Sequence, residues 1–345
     1  MAWISPVIGG VITEPLELSK ELIEGKIHSP LIASIEINDD CMLKCPYCYL
    51  DRREKTNGVL SQSDLEQTIA EIVDSGVNII TIAGKEIFFD DKGINIIKFI
   101  DSRKKGNLHL KYGFITNGYR LDEYLEELKK LNFDWIDLSL DSYNGRGKSY
   151  TKIKEKIQEL VNDKTLLDKL TISSVFAKDN ANDLLELSQH LDQEDVRCHT
   201  ITPNFDENLN SNTPFNDYIQ LLESYISRGN FKNLEVYFIV GGMRDQKWFK
   251  GNYNLKKKFV DILDQDTYVL NGNIFVIFHN PLRYFRLTAD GYVLSGKDIF
   301  KPNYHNFAVG NVKEESVKEL IGKALKRDGS FEYYEPQLTL KVVPK

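Results

Sequence analysis

The sequence predicts an α/β fold, a partial (β/α)6 TIM-like barrel with a small C-terminal α+β cap. Two observations give the barrel. Strand-like apolar runs alternate with helix-like segments six times over residues 32–228. Each such strand must return through its helix, which makes the sheet parallel, and right-handed crossovers with strand twist curl it toward a full or partial barrel. A third observation gives the cap. YFRLTADGYVLS, 284–295, alternates about Asp290-Gly291 and reads as a hairpin outside the repeat.

The elements follow in order. IASIEIN, 32–38, is the first strand, followed by a loop and a helix over 61–76. VNIITIAG, 77–84, is the second strand, with a helix over 93–105. HLKYGFITN, 109–117, precedes a helix over 121–131, and FDWIDLSLD, 133–141, precedes one over 149–161. KLTISSVF, 169–176, leads to a helix over 182–191, and VRCHTITP, 196–203, to one over 216–228. This divides the chain into an N-terminal extension (1–30), a barrel (31–230) and a cap (231–345). The extension is too short for a separate peptide-recognition domain of ordinary size. In such a barrel, functional groups belong on the loops after the strands.

Composition narrows the partners. With 345 residues, 41% hydrophobic content and 11% aromatic content, the chain can bury a sizeable core. Its net charge of −7 gives no general attraction to nucleic acid or an anionic membrane. The clusters Arg103-Lys104-Lys105 and Lys256-Lys257-Lys258 are short and read as solvated faces. The first residues lack a cationic region before their apolar run, so they do not read as a signal peptide, and no apolar run reaches membrane-spanning length. A cytoplasmic protein is expected, with neither nucleic acid nor membrane as partner.

The cysteines carry the chemistry. Three of the four, Cys41, Cys45 and Cys48, stand in C-x3-C-x2-C spacing within CMLKCPYCYLD, immediately after the first strand. A tight thiol cluster without a disulfide framework points to metal. A structural zinc site and a fully ligated [4Fe–4S] cluster both take four ligands, and Cys198 is far away on the sixth strand. Three thiolates therefore leave one metal position open to a reactant. A zinc knuckle completed by a histidine is the alternative at this point.

This stretch, with Tyr47 directly before the last cysteine, resembles the motif of radical S-adenosylmethionine (radical SAM) enzymes. Further stretches agree in order and at each strand end, over about residues 32–205. Gly84 and Glu86 of GKEI match the family's Gly-Gly-Glu-Pro, while Lys85 and Ile87 depart from it. Asn117 of Thr116-Asn117-Gly118, Ser139 and Asp141 of SLDS, Arg146 at the next helix entry and Asn180 stand where members carry similar residues. Thr202 and Pro203 lie where the family commonly meets adenine.

The resemblance implies a set of roles. Cys41, Cys45 and Cys48 would hold a [4Fe–4S] cluster, and Tyr47, Gly84, Glu86, Asn117, Ser139, Asp141 and Thr202 would form the SAM shell. Reductive cleavage of SAM to a 5′-deoxyadenosyl radical would then abstract a substrate hydrogen, with the cofactor doing the hard chemistry. A flavodoxin- or ferredoxin-type electron donor and oxygen sensitivity follow. Cys198 shares a face with Val196, Thr200 and Thr202 if the strand alternates regularly, and has two readings: a hydrogen-atom donor, or a small buried apolar residue, the second being favoured. GNVKEESVKELI, 310–321, resembles the end of the family's SPASM or twitch extension. Ser295 stands near the first expected auxiliary-cluster cysteine, and no cysteine follows residue 198, so one cluster is expected.

The expected function is radical SAM chemistry on a small polar metabolite or natural-product precursor. Oxidation, epimerisation, elimination and rearrangement stay open. Modification of a ribosomal peptide is the alternative within the class, and a non-catalytic SAM- or metal-binding regulatory protein is the alternative outside it.

Overall fold

The computed structural model describes residues 2–4, 11–13, 32–52, 58–107, 110–145, 148–204, 215–240, 243–260, 266–278, 284–296, 298, 301 and 303–328. Arg146 and most of the N-terminal extension lie outside them. Two short strands, β1 (Ala2–Ile4) and β2 (Val11–Thr13), pair antiparallel by themselves.

The six expected strands are all present: β3 (Ile32–Glu36), β4 (Ile79–Ala83), β5 (Lys111–Thr116), β6 (Trp135–Ser139), β7 (Leu170–Phe176) and β8 (Cys198–Pro203). Each pairs parallel with the next. β3, β4, β6 and β8 are buried at every residue, because helices cover one face and the lumen lies on the other.

The helices between them are α1 (Gln62–Asp74), α2 (Lys92–Lys104), α3 (Leu121–Leu128), α4 (Lys154–Asn162), α5 (Lys164–Leu167), α6 (Ala181–Gln193) and α7 (Phe215–Arg228). α1 shows the local logic. Ser61, outside the helix, accepts from the Asp64 amide at 3.1 Å and caps the first turn. Leu65, Ile69, Ile72 and Val73 recur at helical spacing and bury one stripe toward the sheet.

The C-terminal third is α+β and its strands continue the barrel sheet at both edges. After α7, β9 (Glu235–Val240) pairs parallel with β8. Helix α8 (Met243–Asn252) then precedes β10 (Lys256–Val260), β11 (Asp266–Asn271) and β12 (Ile274–Phe278). β12 pairs parallel with β9, and β11 and β10 follow antiparallel. The chain then reaches the opposite edge. β13 (Tyr284–Leu287) pairs parallel with β3, and β14 (Tyr292–Ser295) folds back on it around Asp290-Gly291 as the expected hairpin. β15 (Gly310–Asn311) and α9 (Val317–Asp328) finish the structure, α9 packing on β13, β14 and α1.

Among the described residues the result is one open sheet of 13 strands, ordered β10-β11-β12-β9-β8-β7-β6-β5-β4-β3-β13-β14-β15. The expected boundary at residue 230 falls in a connection, but the sheet runs through it without a break. No helix among these residues is long and apolar enough to cross a membrane.

Candidate active site

The C-terminal strand ends surround one cavity. Cys41, Cys45 and Cys48 line it together with Tyr47, Gly84, Asn117, Ser139, Asp141 and Thr202. The cysteine loop leaves β3 and closes with two backbone bonds, Cys48 N–H to Cys45 O at 3.0 Å and Asp51 N–H to Cys48 O at 3.2 Å. The Leu43 amide points at Cys41 Sγ at 3.3 Å. Burial pushes the Cys41 thiol above its usual pKa, and pushes Cys45 up to about 11 against the lowering field of Lys148. These thiols stay protonated in the free protein and lose their protons to a metal.

Lys85, which breaks the family pattern, has a visible job. Its ammonium meets Asp51 Oδ1 at 2.5 Å, so it ties the turn after Cys48 to the end of β4. Gly84 before it has φ +143, and a Cβ there would meet Asn38 Oδ1 at 2.7 Å. Only glycine fits this close approach of β4 to the end of β3.

Glu86 is set back from the cavity wall, unlike the other residues assigned to the SAM shell. Its carboxylate is buried and accepts from Thr116 Oγ1 at 2.6 Å, the Asn117 amide at 2.7 Å and the Phe88 amide at 3.1 Å. It thereby joins the end of β4 to the end of β5. Asn117 carries the effect outward: its Nδ2 approaches Cys41 Sγ at 3.5 Å, and its Oδ1 accepts from the Tyr119 amide at 3.0 Å. The Asn117-Gly118 turn and the cysteine loop are thus one unit.

Across the cavity, Asp141 organises the other wall. The Tyr47 phenol donates to its Oδ2, the Val175 amide donates to its Oδ1 at 2.7 Å, and Lys148 Nζ lies 3.6 Å from Oδ2. Burial and the Asp141 carboxylate push the Tyr47 phenol far above its ordinary pKa, so it remains a donor. Asn180 donates to Asp141 O at 3.0 Å and to Val175 O at 2.9 Å, which locks β6 and β7 together. Burial opposes the charge on Lys148, but Asp141 and the nearby cysteines outweigh it and hold its pKa above that of a free lysine.

Sequence reasoning missed three residues. Lys148 lines the cavity from the stretch after β6. Arg286 lines it from β13, its guanidinium 3.1 Å from Glu36 Oε1 with both side chains 1% exposed. Asp137 lies on β6 two residues before Ser139, on the same face, and is fully buried. Period-2 alternation through WIDLSLD was a signal for Asp137; no sequence signal shows that β13 would return beside β3. Cys198 is 2% exposed and packs with Tyr237, Ile239, Phe275 and Ile277. It does not line the cavity.

The residues present suit a cluster and SAM together. Among the described residues no group of three or more thiol, imidazole or carboxylate side chains gathers around a point as a single ion needs. Cys41, Cys45 and Cys48 open into one cavity, and a multi-iron cluster takes each thiolate on a different iron. Thr202 Oγ1, buried and facing the cavity from β8, has no hydrogen-bond partner among the described residues. Asp141 and Lys148 offer one anion and one cation to a ligand that carries both charges.

Comparison with known proteins agrees. Residues 35–171 match the family model described as the radical SAM superfamily. The chain is 24% identical over 220 residues to a probable GTP 3′,8-cyclase of Methanococcus vannielii, covering 60% of this chain and 72% of that protein. It is 29% identical over 159 residues to the antilisterial bacteriocin subtilosin biosynthesis protein AlbA of Bacillus subtilis, covering 43% of this chain and 34% of AlbA. Among solved structures, Streptococcus suis SuiB superposes with a TM-score of 0.59 at 17% identity, covering 88% of this chain and 69% of SuiB.

Proposed function

We propose that this chain, a radical SAM enzyme by the domain at residues 35–171, acts on a small polar metabolite or natural-product precursor held at the strand ends. The observation that carries the reading is the shared cavity: the three thiols open into the same space as Tyr47, Asp141 and Lys148. The cofactors of the family are a [4Fe–4S] cluster and SAM, and together they supply hydrogen-atom abstraction from a substrate C–H bond.

The chain's residues then have assignable roles. Cys41, Cys45 and Cys48 hold the cluster. Asn117 Nδ2 supports Cys41, and the Lys85–Asp51 pair holds the turn behind Cys48. Lys148 receives the SAM carboxylate, and Asp141 with the Tyr47 phenol fixes Lys148 in place. Gly84 gives backbone access to the SAM amino group. Ser139 and Thr202 complete the shell, while Glu86 acts indirectly, by placing Asn117. Arg286 of β13 walls the substrate side, and a flavodoxin- or ferredoxin-type protein delivers electrons.

Likeness to AlbA, and to SuiB solved with its precursor peptide SuiA, supports a second reading in which the substrate is a ribosomal peptide. A precursor-peptide gene beside this one, and a mass change in that peptide on incubation with the enzyme, would favour it.

The test is anaerobic reconstitution with iron and sulfide, then SAM and a strong reductant, quantifying 5′-deoxyadenosine and methionine beside a Cys45→Ala control. Cluster-dependent 5′-deoxyadenosine is expected. A fully loaded protein that neither binds nor cleaves SAM would overturn the reading.

A further inference from the structure

We propose that Asp137 sets the specificity of this site: its carboxyl, on the lumen face of β6 beneath the cavity, receives a cationic nitrogen of the substrate, an amine or amidine. This rests on the radical SAM reading above and narrows its substrate class.

Asp137 is 0% exposed, and neither carboxylate oxygen accepts a well-formed hydrogen bond among the described residues. A buried carboxylate without donors costs several kcal/mol, on the order of what a domain can ill spare, and native proteins seldom keep one without a use. Its neighbours give no relief. In register it faces Ile115 on β5 and Thr171 on β7. The Ser173 hydroxyl reaches toward it from β7 and favours its ionised form, but burial dominates and pushes its pKa well above the carboxylate range. Lys148 is the charged group that acts on it, and Lys148 already stands 3.6 Å from Asp141.

The other buried carboxylates described around the cavity each have partners: Glu86 has three hydrogen-bond donors, and two more face a cation. Glu36 is answered by Arg286 at 3.1 Å, and Asp141 by Lys148. Asp137 is left over. One pleat below it, the indole N–H of Trp135 has no acceptor either, so this floor is polar but not self-satisfied. Asp137 does not itself line the cavity, but one pleat above it Ser139 on β6 and Ser173 on β7 do. A carboxylate arriving here would oppose ionisation of the Asp137 carboxyl still further. A hydroxyl would bring a donor and no charge. An ammonium or amidinium brings several donors and the missing charge, and its charge-assisted bond favours the ionised carboxyl.

The experiment uses the anaerobically reconstituted holoenzyme with SAM bound, and ligand-observed NMR with two probes of equal length, n-butylamine and n-butanol. In the parent enzyme the amine should bind at least about tenfold tighter than the alcohol, as one charge-assisted hydrogen bond implies. Asp137→Asn should erase that preference, and Asp137→Glu, which keeps the charge, should retain it. SAM affinity should be the same in all three. Equal binding of both probes, binding of neither, or an amine preference that survives in Asp137→Asn would overturn the proposal. Loss of SAM binding in the parent enzyme would instead sink the radical SAM reading, so the two failures are distinguishable.

Discussion

At the scale of single residues, stability and function pull apart at Asp137. Its pKa in the folded protein lies above its unfolded value, because burial disfavours the charge. The folded state then binds the extra proton, so this residue costs stability progressively as pH rises above the unfolded value of about 4. Asp137→Asn should therefore melt higher than the parent at pH 8, with the gap narrowing toward pH 5, measured by thermal unfolding of the metal-free protein. At Glu86 burial likewise pushes the pKa above its usual value, but three donors surround the carboxylate and oppose the shift. Glu86→Gln turns one acceptor into a donor facing an N–H or O–H, and should cost about 1–3 kcal/mol in urea unfolding. The cysteines were legible in the sequence from their short spacing, and Tyr47, Gly84, Asn117, Ser139, Asp141 and Thr202, which also line the cavity, from the family resemblance. Glu86 was legible as important but not in its manner of acting. Its aim depends on Thr116 and Asn117, some thirty residues away, and a side chain's direction is a tertiary fact.

At the scale of elements, the cysteine loop is held from both sides, by Asn117 from β5 and by Lys85 from β4. The Lys85–Asp51 pair is partly exposed on the Asp51 side, so its direct contribution to stability is small, under about 1 kcal/mol. Lys85→Met should leave the melting temperature nearly unchanged and yet raise the rate of iron loss to a chelator severalfold, because the turn after Cys48 loses its tether. Behind the sheet, His199 on β8 bonds Ser174 of β7 at 2.6 Å and Ser188 of α6 at 2.7 Å, and Ser188 meets Tyr225 of α7 at 2.7 Å. Burial lowers its pKa to about 3, so the ring is neutral at physiological pH. The unfolded chain binds that proton first, near pH 6.5, so stability falls as pH drops from there toward the folded value. All six β–α units were readable because each is a local pattern. Strand β9 and the placement of β12 and β13 were not, since pairing between distant segments leaves no period in the sequence.

At the scale of the whole molecule, the Arg286–Glu36 pair joins the C-terminal third to the first barrel strand, with both side chains buried. Removing one partner strands the other charge, so Arg286→Met should cost about 3–5 kcal/mol, while Arg286→Met with Glu36→Gln should recover much of it. The continuous sheet also implies that barrel and C-terminal third unfold together. Calorimetry should give one transition, and two well-separated transitions would show that residue 230 divides independent units. The sequence suggested an appended cap because its hairpin breaks the repeat. Where that hairpin docks was decided by the free edge of β3.

That docking has a consequence for how the protein is made. β3 leads directly into the cysteine loop, and its outer edge is covered by β13, with Glu36 and Arg286 separated by 250 positions. While the ribosome is still adding those residues, β3 presents bare amides and carbonyls beside three reduced thiols. Iron–sulfur loading before release would fill a half-framed site, and the nascent strand is exposed to sticking to its neighbours. Delivery of the cluster therefore belongs after synthesis, and chains stopped short of β13 should collect as insoluble, iron-poor material.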